Sequence, residues 1–525
     1  MPDQPPSPGE RSRVRVIALL AVLPCLLGLG RFAEPGYAVD DAWISFRTAR
    51  TWLDGGGLTF DGSLPPVEGV TNLLWTVLSA SWIAWLPNLD PIVPARLIGA
   101  LLLLWTVWRA SLFAAQLAED AGGSGEVAAA VTGLLLAASG SLAFHALSGL
   151  ETAMWGGLFL AICVRLDRDL RRGDGGLLLG FLLLMLGATR PEGVLVAILV
   201  TGGLFARPAT RGIGLRAAAP VVLGMGAVEI FRLVTYGSLV PNTFRAKPPN
   251  PAEGAVYLLK AFGYGTGGLG LLLALRAPMR GVLGPLGICV GVLAAGALWS
   301  GGDWMPGMRR LTLPLLWLGI AAGVSMGVAR DRERLLSMLA VVAWLGGNLL
   351  GALGGWDSVR QAPTKAAVVA RAAAATPAIK TVALADVGVF GWEFEGSILD
   401  LIGLTDAHIA ALPGVHGAKD WDENYFRGRS PELVLVRSET PVTDPLFQQP
   451  TVGTSERPVL LSMLDAGGYR YHATVDLDRD LGRYLLIFVR TDVDLPEELW
   501  GRPARRSLKD LLLELSQRVN NSPAP

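Results

Sequence analysis

The chain has 525 residues, of which 51% are hydrophobic and 17% charged, and its mean hydropathy is +0.44. Soluble proteins carry about 25% charged residues, and no single globular core hides such an apolar surplus, so a wholly soluble enzyme, a disordered chain and a disulfide scaffold are excluded. The 45 basic and 45 acidic residues cancel to a net charge of +0, which offers nucleic acid no basic footprint.

A hydrocarbon core of roughly 30 Å takes about 20 apolar residues per helix. Taken in order, apolar runs centre on residues 14–32, 70–87, 96–117, 127–143, 153–166, 176–188, 193–206, 217–235, 255–275, 281–299, 311–329 and 335–354. Arg11, Arg13 and Arg15 precede the first run, which ends at Arg31-Phe32 without a small-residue cleavage site. Residues 1–13 thus read as a cytoplasmic tail, and the run as a first span rather than a removed signal peptide. Cys25, Cys163 and Cys289 fall inside apolar runs as small hydrophobes, and no disulfide is expected.

The linkers fall into two chemical kinds. One is Arg-rich: the N-terminal tail, Arg165–Arg172, Arg207–Arg216, Arg276–Arg280 and Arg330–Arg334. The other, at residues 33–69, 145–152, 189–193, 236–250 and 300–310, is rich in Gly, Pro, Asp, Glu, Asn and aromatics. The positive-inside rule places the Arg-rich set in the cytoplasm. Twelve crossings would put Arg165–Arg172 and every later Arg-rich linker outside. The parity is restored if residues 70–87, with Trp75, Trp82, Trp85 and a closing Pro87, form a helix lying at the outer interface. An ordinary crossing helix is the competing reading. The expected architecture is a polytopic α-helical membrane protein with about eleven transmembrane helices and an interfacial helix in the first outer loop. Its membrane domain covers residues 14–355, with the N-terminus inside and the C-terminal part outside.

The outer linkers carry polar groups that a plain connector would not need. Asp40 and Asp41 stand before a helically spaced stretch with Arg47 about two turns on. They read either as helix-capping acids or as a general base for an acceptor hydroxyl, with a divalent cation as a further option. Glu68 and Asn72 flank the Trp run. The next outer linkers hold His145 and Glu151, then Arg190 and Glu192, then Asn242, Arg245 and Lys247, then Asp303, Arg309 and Arg310. Each taken singly reads as a solvated loop charge. Gathered on one face, ionisable groups near membrane depth mark a site, and outward Arg and Lys suit a phosphate head group. The triplet Gly55-Gly56-Gly57 lacks the following Lys-Ser/Thr of a nucleotide loop.

In combination and order, DDAWISFRTAR…EGVTNLLW, SGLETAMW, TRPEG, YGSLVPNTFRAKP and GGDWMPGMRRLTLP resemble the GT-C membrane glycosyltransferases that use polyprenyl-phosphate sugars. The nearest likeness is to the arabinofuranosyltransferases of cell-wall arabinan. It covers residues 14–355 and more weakly the segment ALADVGVFGWEFEGSILDLIGLTDAHIA. The resemblance implies a multi-pass protein of a bacterial inner membrane with an extracytoplasmic catalytic face. It implies a polyprenyl-phosphate sugar donor, a glycan or glycoprotein acceptor, and a first-loop carboxylate as base, which assigns the catalytic role to Asp40 and Asp41. Glu151 falls where relatives carry a second acid, and Arg245 and Lys247 fall in a loop used near the donor phosphate. Val70 departs from the aromatic expected after Glu-Gly. Donor binding is expected from Arg47, Glu68, Asn72, His145, Glu151, Arg190, Glu192, Asn242, Arg245, Lys247, Asp303 and Arg309. A hexosyltransferase using a sugar such as mannose, a secondary transporter and a non-catalytic scaffold are the alternatives. Against transport, the spans show no half-to-half repeat and hold few charges beyond Glu229 and Arg232, which are spaced to pair.

Composition changes near Trp356. Residues 363–376 suit an amphipathic helix, and Thr381–Ala385, Leu433–Val436, Tyr469–Val475 and Arg483–Val489 read as strands. A last helix is expected over Leu508–Arg518. Residues 356–518 are expected to form a small extracytoplasmic α/β domain, and 519–525 a disordered tail. Asp386, Asp400, Asp406 and His408 are candidates for acceptor recognition, against a plain capping role for the domain.

Overall fold

The protein is represented by a computed structural model. It describes residues 8–33, 39–62, 65–263, 267–278, 282–303, 305, 307–330, 334, 337–343, 345–346, 362–441, 452, 456–466, 468–478 and 483–500. The expected helix over Leu508–Arg518 and the tail 519–525 lie outside these residues.

The membrane part is a helical array: α1 (Pro8–Leu20), α2 (Leu23–Phe32), α3 (Asp40–Leu53), α4 (Leu73–Trp85), α5 (Ile92–Asp120), α6 (Gly125–Ala137), α7 (Gly140–Leu147), α8 (Thr152–Arg172), α9 (Leu177–Thr189), α10 (Glu192–Ala206), α11 (Arg211–Tyr236), α12 (Asn242–Ala246), α13 (Pro251–Gly263), α14 (Gly267–Ala274), α15 (Leu283–Trp299) and α16 (Thr312–Val328). Among the described residues, four helical stretches are long and apolar enough to cross a membrane: Gly9–Phe32, Ile92–Asp120, Pro208–Tyr236 and Arg309–Val328. The pair α6 and α7, bent by 57°, makes a fifth if taken as one broken span. Helices α4, α9, α10 and α15 are apolar but shorter.

Helix α4 has 13 residues, a length of about 20 Å at 1.5 Å per residue, well short of the hydrocarbon thickness. Its tryptophans are not alike. Trp75 and Trp82 are buried and packed edge-to-face, Trp75 Nε1 donates to the Gly149 carbonyl at 3.0 Å, and only Trp85 is exposed. The aromatic run expected to face the interface therefore turns mostly inward, where it props α3.

Helix α16 is the centre of the array. Every residue from Thr312 to Gly327 is buried except Leu315. In lipid, helices gain little from hiding apolar surface from one another and associate through close packing, so small residues collect where backbones meet. Gly319, Gly323 and Gly327 form such a stripe against α6: a Cβ on Gly323 would stand 1.9 Å from Thr132 Oγ1 and 2.7 Å from the Ala128 carbonyl oxygen.

The C-terminal region folds around a five-stranded sheet of order β2-β1-β5-β7-β6, with β1 (Thr381–Leu384), β2 (Ser397–Asp400), β5 (Leu433–Ser438), β6 (Tyr469–Asp478) and β7 (Arg483–Arg490). A separate hairpin pairs β3 (Gly414–Val415) with β4 (Ala418–Lys419). Strand β1 runs parallel to β2 and β5, while β7 is antiparallel to β5 and β6. Helices α17 (Ala362–Ala374), α18 (Val387–Glu393), α19 (Ala407–Ala411), α20 (Glu423–Arg429), α21 (Arg457–Ala466) and α22 (Glu497–Trp500) complete the region. Strands β1, β5 and β7 are almost continuously apolar because both faces are covered. Val382, Leu384, Leu433, Leu435, Leu485 and Ile487 share one core with Ile44, Phe60 and Val70, from the segment between α2 and α4. Val434, Val436, Leu486 and Phe488 point the other way, toward Ile409, Phe426, Leu460 and Met463. One face of the sheet is thus docked on the membrane part. Expected Thr381–Ala385, Leu433–Val436, Tyr469–Val475 and Arg483–Val489 all form strands; β2, β3 and β4 are additional.

Substituting Gly323→Ala should lower the thermal stability of the detergent-solubilised protein by about 1–3 kcal/mol, the usual cost of overpacking a tight contact. Gly226→Ala, where a Cβ meets nothing within 4 Å, is the matched control in thermal unfolding and should leave stability unchanged.

Candidate active site

The acidic helix α3 starts without a side-chain cap of its own: Val39 is extended, and its N–H donates to the Ser148 carbonyl oxygen at 3.3 Å. Its two first-turn carboxylates diverge. Asp40 turns to the C-terminal domain, where Oδ2 and Oδ1 accept the backbone N–H groups of Gly388 and Val389, each at 2.8 Å, at the start of α18. Burial and the nearby Asp386 push its carboxyl up to about 7, against the pull of those two N–H groups. Asp41 turns to the membrane part and keeps 21% exposure. Among the described residues it accepts no hydrogen bond. Its nearest cation is Arg309, whose Nη1 is 3.8 Å from Oδ2, too far for a hydrogen bond. Burial raises its carboxyl above the ordinary range, with Arg309 and Lys247 working the other way.

Arg309 is itself fixed by Asp303, through Nε to Oδ2 at 2.8 Å and Nη2 to Oδ1 at 3.4 Å. This fork leaves Nη1 aimed at Asp41. The preceding Met308 adopts the left-handed region at φ 52°, a conformation that costs a non-glycine residue about 1–3 kcal/mol and gathers at functional sites. Burial favours the neutral acid at Asp303, yet Arg309, Lys247, Arg190 and Arg310 overcome it and hold the group at about 2. The Lys247 ammonium is lowered by burial and sustained by Asp41 and Asp303. It makes no ion pair among the described residues.

Beside this group runs a second network. Arg190 Nη1 meets Glu151 Oε1 at 2.6 Å, and Asn72 Nδ2 donates to Glu151 Oε2 at 2.8 Å and to Ser45 Oγ at 3.0 Å. Glu192 lies 3.5 Å from Arg190 and 3.3 Å from Arg310. His145 is buried beneath, beside Arg309 and Asp303, and the hydroxyl of Ser141 on the same helix donates to the Gly307 carbonyl. Five of the acid-bearing linkers therefore converge, bringing together Asp41, Asn72, His145, Glu151, Arg190, Glu192, Lys247, Asp303 and Arg309.

The other sequence candidates stand elsewhere. Arg47 donates to the carbonyls of Phe60 and Glu395, at 3.2 and 3.3 Å. Glu68 pairs with Arg232 at 3.0 Å, which also holds Glu229 at 2.6 Å. Asn242 Nδ2 donates to the carbonyls of Gly403, Leu404 and Asp406 at 2.9–3.3 Å. Arg245 is exposed, and its carbonyl accepts from Lys419 Nζ at 3.1 Å. In the C-terminal domain, Asp386 pairs with Arg437 at 2.9 Å, Asp400 accepts the N–H groups of Ile402, Gly403 and Thr405, Asp406 caps α19, and His408 stacks on Tyr425. These four build local structure. Asp40 and Asp41 face apart, and no group of three or more His, Cys, Asp or Glu that could hold a metal ion occurs among the described residues.

Sequence reading passed over Ser45, within one apolar-spaced helix face, and His416, on the β3–β4 turn. His416 lies against Ala246 near Lys247, and burial, helped by that ammonium, lowers it to about 4. Only the chain's return across some 170 residues brings it there; no local pattern signals it.

With this geometry in view, the known structures fall into place. ArnT from Cupriavidus metallidurans, in the apo state, superposes with a TM-score of 0.57 at 15% identity, covering 90% of this chain and 97% of that one. The archaeal oligosaccharyltransferase AglB from Archaeoglobus fulgidus, in complex with an inhibitory peptide and a dolichol-phosphate, gives 0.50 at 11%, covering 93% and 75%. Arabinofuranosyltransferase AftD from Mycobacteria gives 0.49 at 14%, covering 91% and 40%. At these identities the likeness is one of fold, and the fold is GT-C-like. Residues 357–488, about a quarter of the chain, match a family described as a domain of unknown function, DUF8728. No curated protein matches the chain in sequence.

Glu151→Ala should strand the buried Arg190 charge and cost about 3–5 kcal/mol, read as a drop in thermal unfolding temperature in detergent. Arg245→Ala, at an exposed site, should stay within about 0.5 kcal/mol of the wild type.

Proposed function

We propose that the protein is a membrane glycosyltransferase that moves a sugar from a polyprenyl-phosphate donor to an acceptor hydroxyl at the extracytoplasmic face, with Asp41 as general base. The observation that carries this reading is Asp41 itself: a partly exposed carboxylate with a raised proton affinity, accepting no hydrogen bond among the described residues and flanked by Arg309 and Lys247. A base needs an open lone pair and a pKa drawn toward the working pH.

The chemistry is set by the charges. The acceptor O–H gives its proton to Asp41 as its oxygen bonds to the anomeric carbon. The bond from that carbon to the phosphate oxygen breaks, and the polyprenyl phosphate leaves with the electron pair. The leaving group is an anion already, so cations rather than an acid stabilise it. We assign that part to Lys247 and the Nη1 edge of Arg309, with Asp303 keeping the guanidinium oriented. A single displacement inverts the anomeric centre. The donor keeps its tail in lipid and its sugar at the surface, which suits a site built from outer linkers above about eleven spans with the N-terminus inside. The fold supports the donor class, since AglB of the same fold holds a dolichol-phosphate. The sequence motifs favour arabinofuranose as the sugar; mannose or another hexose is the second reading. Glu151, Arg190, Asn72 and Glu192 form the wall that fixes the site's shape.

Purified protein in detergent, offered polyprenyl-phosphate arabinofuranose and polyprenyl-phosphate mannose separately with an oligosaccharide acceptor, should transfer one of the two sugars. Asp41→Asn should reduce transfer at least 100-fold while leaving thermal unfolding unchanged; wild-type activity in that variant overturns Asp41 as base. Since burial raises Asp41, the acid limb of kcat/KM should lie above the ordinary carboxylate value of about 3.9, with activity lost as pH falls through it.

A further inference from the structure

Among the described residues, backbone and anchor contacts tie the C-terminal domain to both elements that carry the proposed reacting groups, in addition to its apolar contact with Phe60 and Val70. The first is α3. Asp40 takes the Gly388 and Val389 N–H groups in the first turn of α18, Arg47 donates to the Glu395 carbonyl, and Arg50 lies over the Trp392 ring at 3.8 Å while donating to the Trp392 carbonyl. All three come from one face of the helix whose first turn also presents Asp41. The second is the short helix α12, which Lys247 directly follows. Asn242 donates to three carbonyls of residues 403–406, and Lys419 of the β3–β4 hairpin donates to the Arg245 carbonyl, two residues before Lys247.

We propose that this domain is a positioning element for the reaction: it clamps the helix that presents the base and the linker that presents the phosphate-facing cation, so that Asp41 and Lys247 are held at one working separation. The inference rests on the roles given above to Asp41 and Lys247. Asp40 is then a positioning residue and touches no substrate.

The physical case is one of reach. A carboxylate in the first turn of a helix normally satisfies its own helix or water. Asp40 instead serves the start of a helix nearly 350 residues away, where free N–H groups and the helix dipole favour an anion. Two bonds to one carboxylate fix its orientation as well as its place. The fit is also close-packed: a Cβ on Gly388 would stand 1.9 Å from the Asp40 carbonyl oxygen and 2.8 Å from Oδ2. Any side chain at 388 must push α18 away from the acidic turn. The Asn242 side chain uses its amide N–H groups on carbonyls of one loop, which a purely solvated linker residue would not do.

Gly388→Ala and Asn242→Ala, made separately in the full chain, test this from two sides, neither residue being in the reacting groups. Each should lower kcat by about 10- to 100-fold, the penalty for misplacing a catalytic group by an ångström, while the KM for the polyprenyl-phosphate donor stays within twofold. Asp40→Asn, which keeps one accepting oxygen, should fall between wild type and Asp40→Ala; equal inactivity of the two would make Asp40 a reacting group and overturn its positioning role. Hydrogen–deuterium exchange supplies an arm free of catalysis. Uptake over residues 40–50 should rise in Gly388→Ala, and over 240–250 in Asn242→Ala. Unchanged uptake in both variants, or kcat within twofold of wild type, overturns the inference. If the wild-type protein moves neither sugar, the functional reading fails, and the exchange arm decides the clamp alone.

Discussion

A charge at the edge of hydrocarbon must find an opposite charge or a set of dipoles, because the low dielectric there makes an uncompensated ion costly. The linker face that carries the candidate site is organised by that demand. Arg309 is met by Asp303, Arg190 by Glu151 and Glu192, Arg232 by Glu68 and Glu229, and Arg310 by Glu192. Asp40 is met by peptide N–H groups rather than by a cation. Against this matched background Asp41 and Lys247 stand out as the loosely matched members of the cluster. Their remaining capacity for interaction is what a reacting proton and a phosphate would use.

The same constraint explains how a rigid site arises from linkers. Loops carry function when a scaffold holds them. Here charge pairs join the linkers across the helices that hold them, Glu151 to Arg190, Glu192 to Arg310 and, more loosely, Asp41 to Arg309. The Gly319–Gly323–Gly327 stripe sets the approach of α16 to α6, and α16 begins one turn after Arg309. Asp303 and Arg309 form their fork within the linker before α16, so the guanidinium direction is set locally and then carried to Asp41 by helix packing.

The C-terminal domain completes this frame from the other side. Its sheet buries Ile44, Phe60 and Val70, from the segment between α2 and α4, in its own core, each worth roughly 1.5–3 kcal/mol of apolar burial. Val70 is thereby part of the docking surface.

The amino-acid sequence settled the kind of molecule. Apolar runs of span length, Arg-rich linkers and an abrupt change of composition near Trp356 are local signals, and they define a helical membrane part followed by a sheet-bearing one. Strands with continuous Val, Leu and Ile in β5 and β7 were legible for the same reason, and so was the Glu229–Arg232 pair, one helical turn apart. Residue types alone also picked out the acidic and basic members of the outer face. Tertiary structure decided which of them meet. Adjacent Asp40 and Asp41 separate because successive residues on a helix point about 100° apart, sending one carboxylate to a distant domain and the other to Arg309. Arg47, Arg245 and Asn242 leave the site, and His416 and Ser45 approach it, because contacts between residues far apart in the chain are fixed by packing and carry no trace in local spacing.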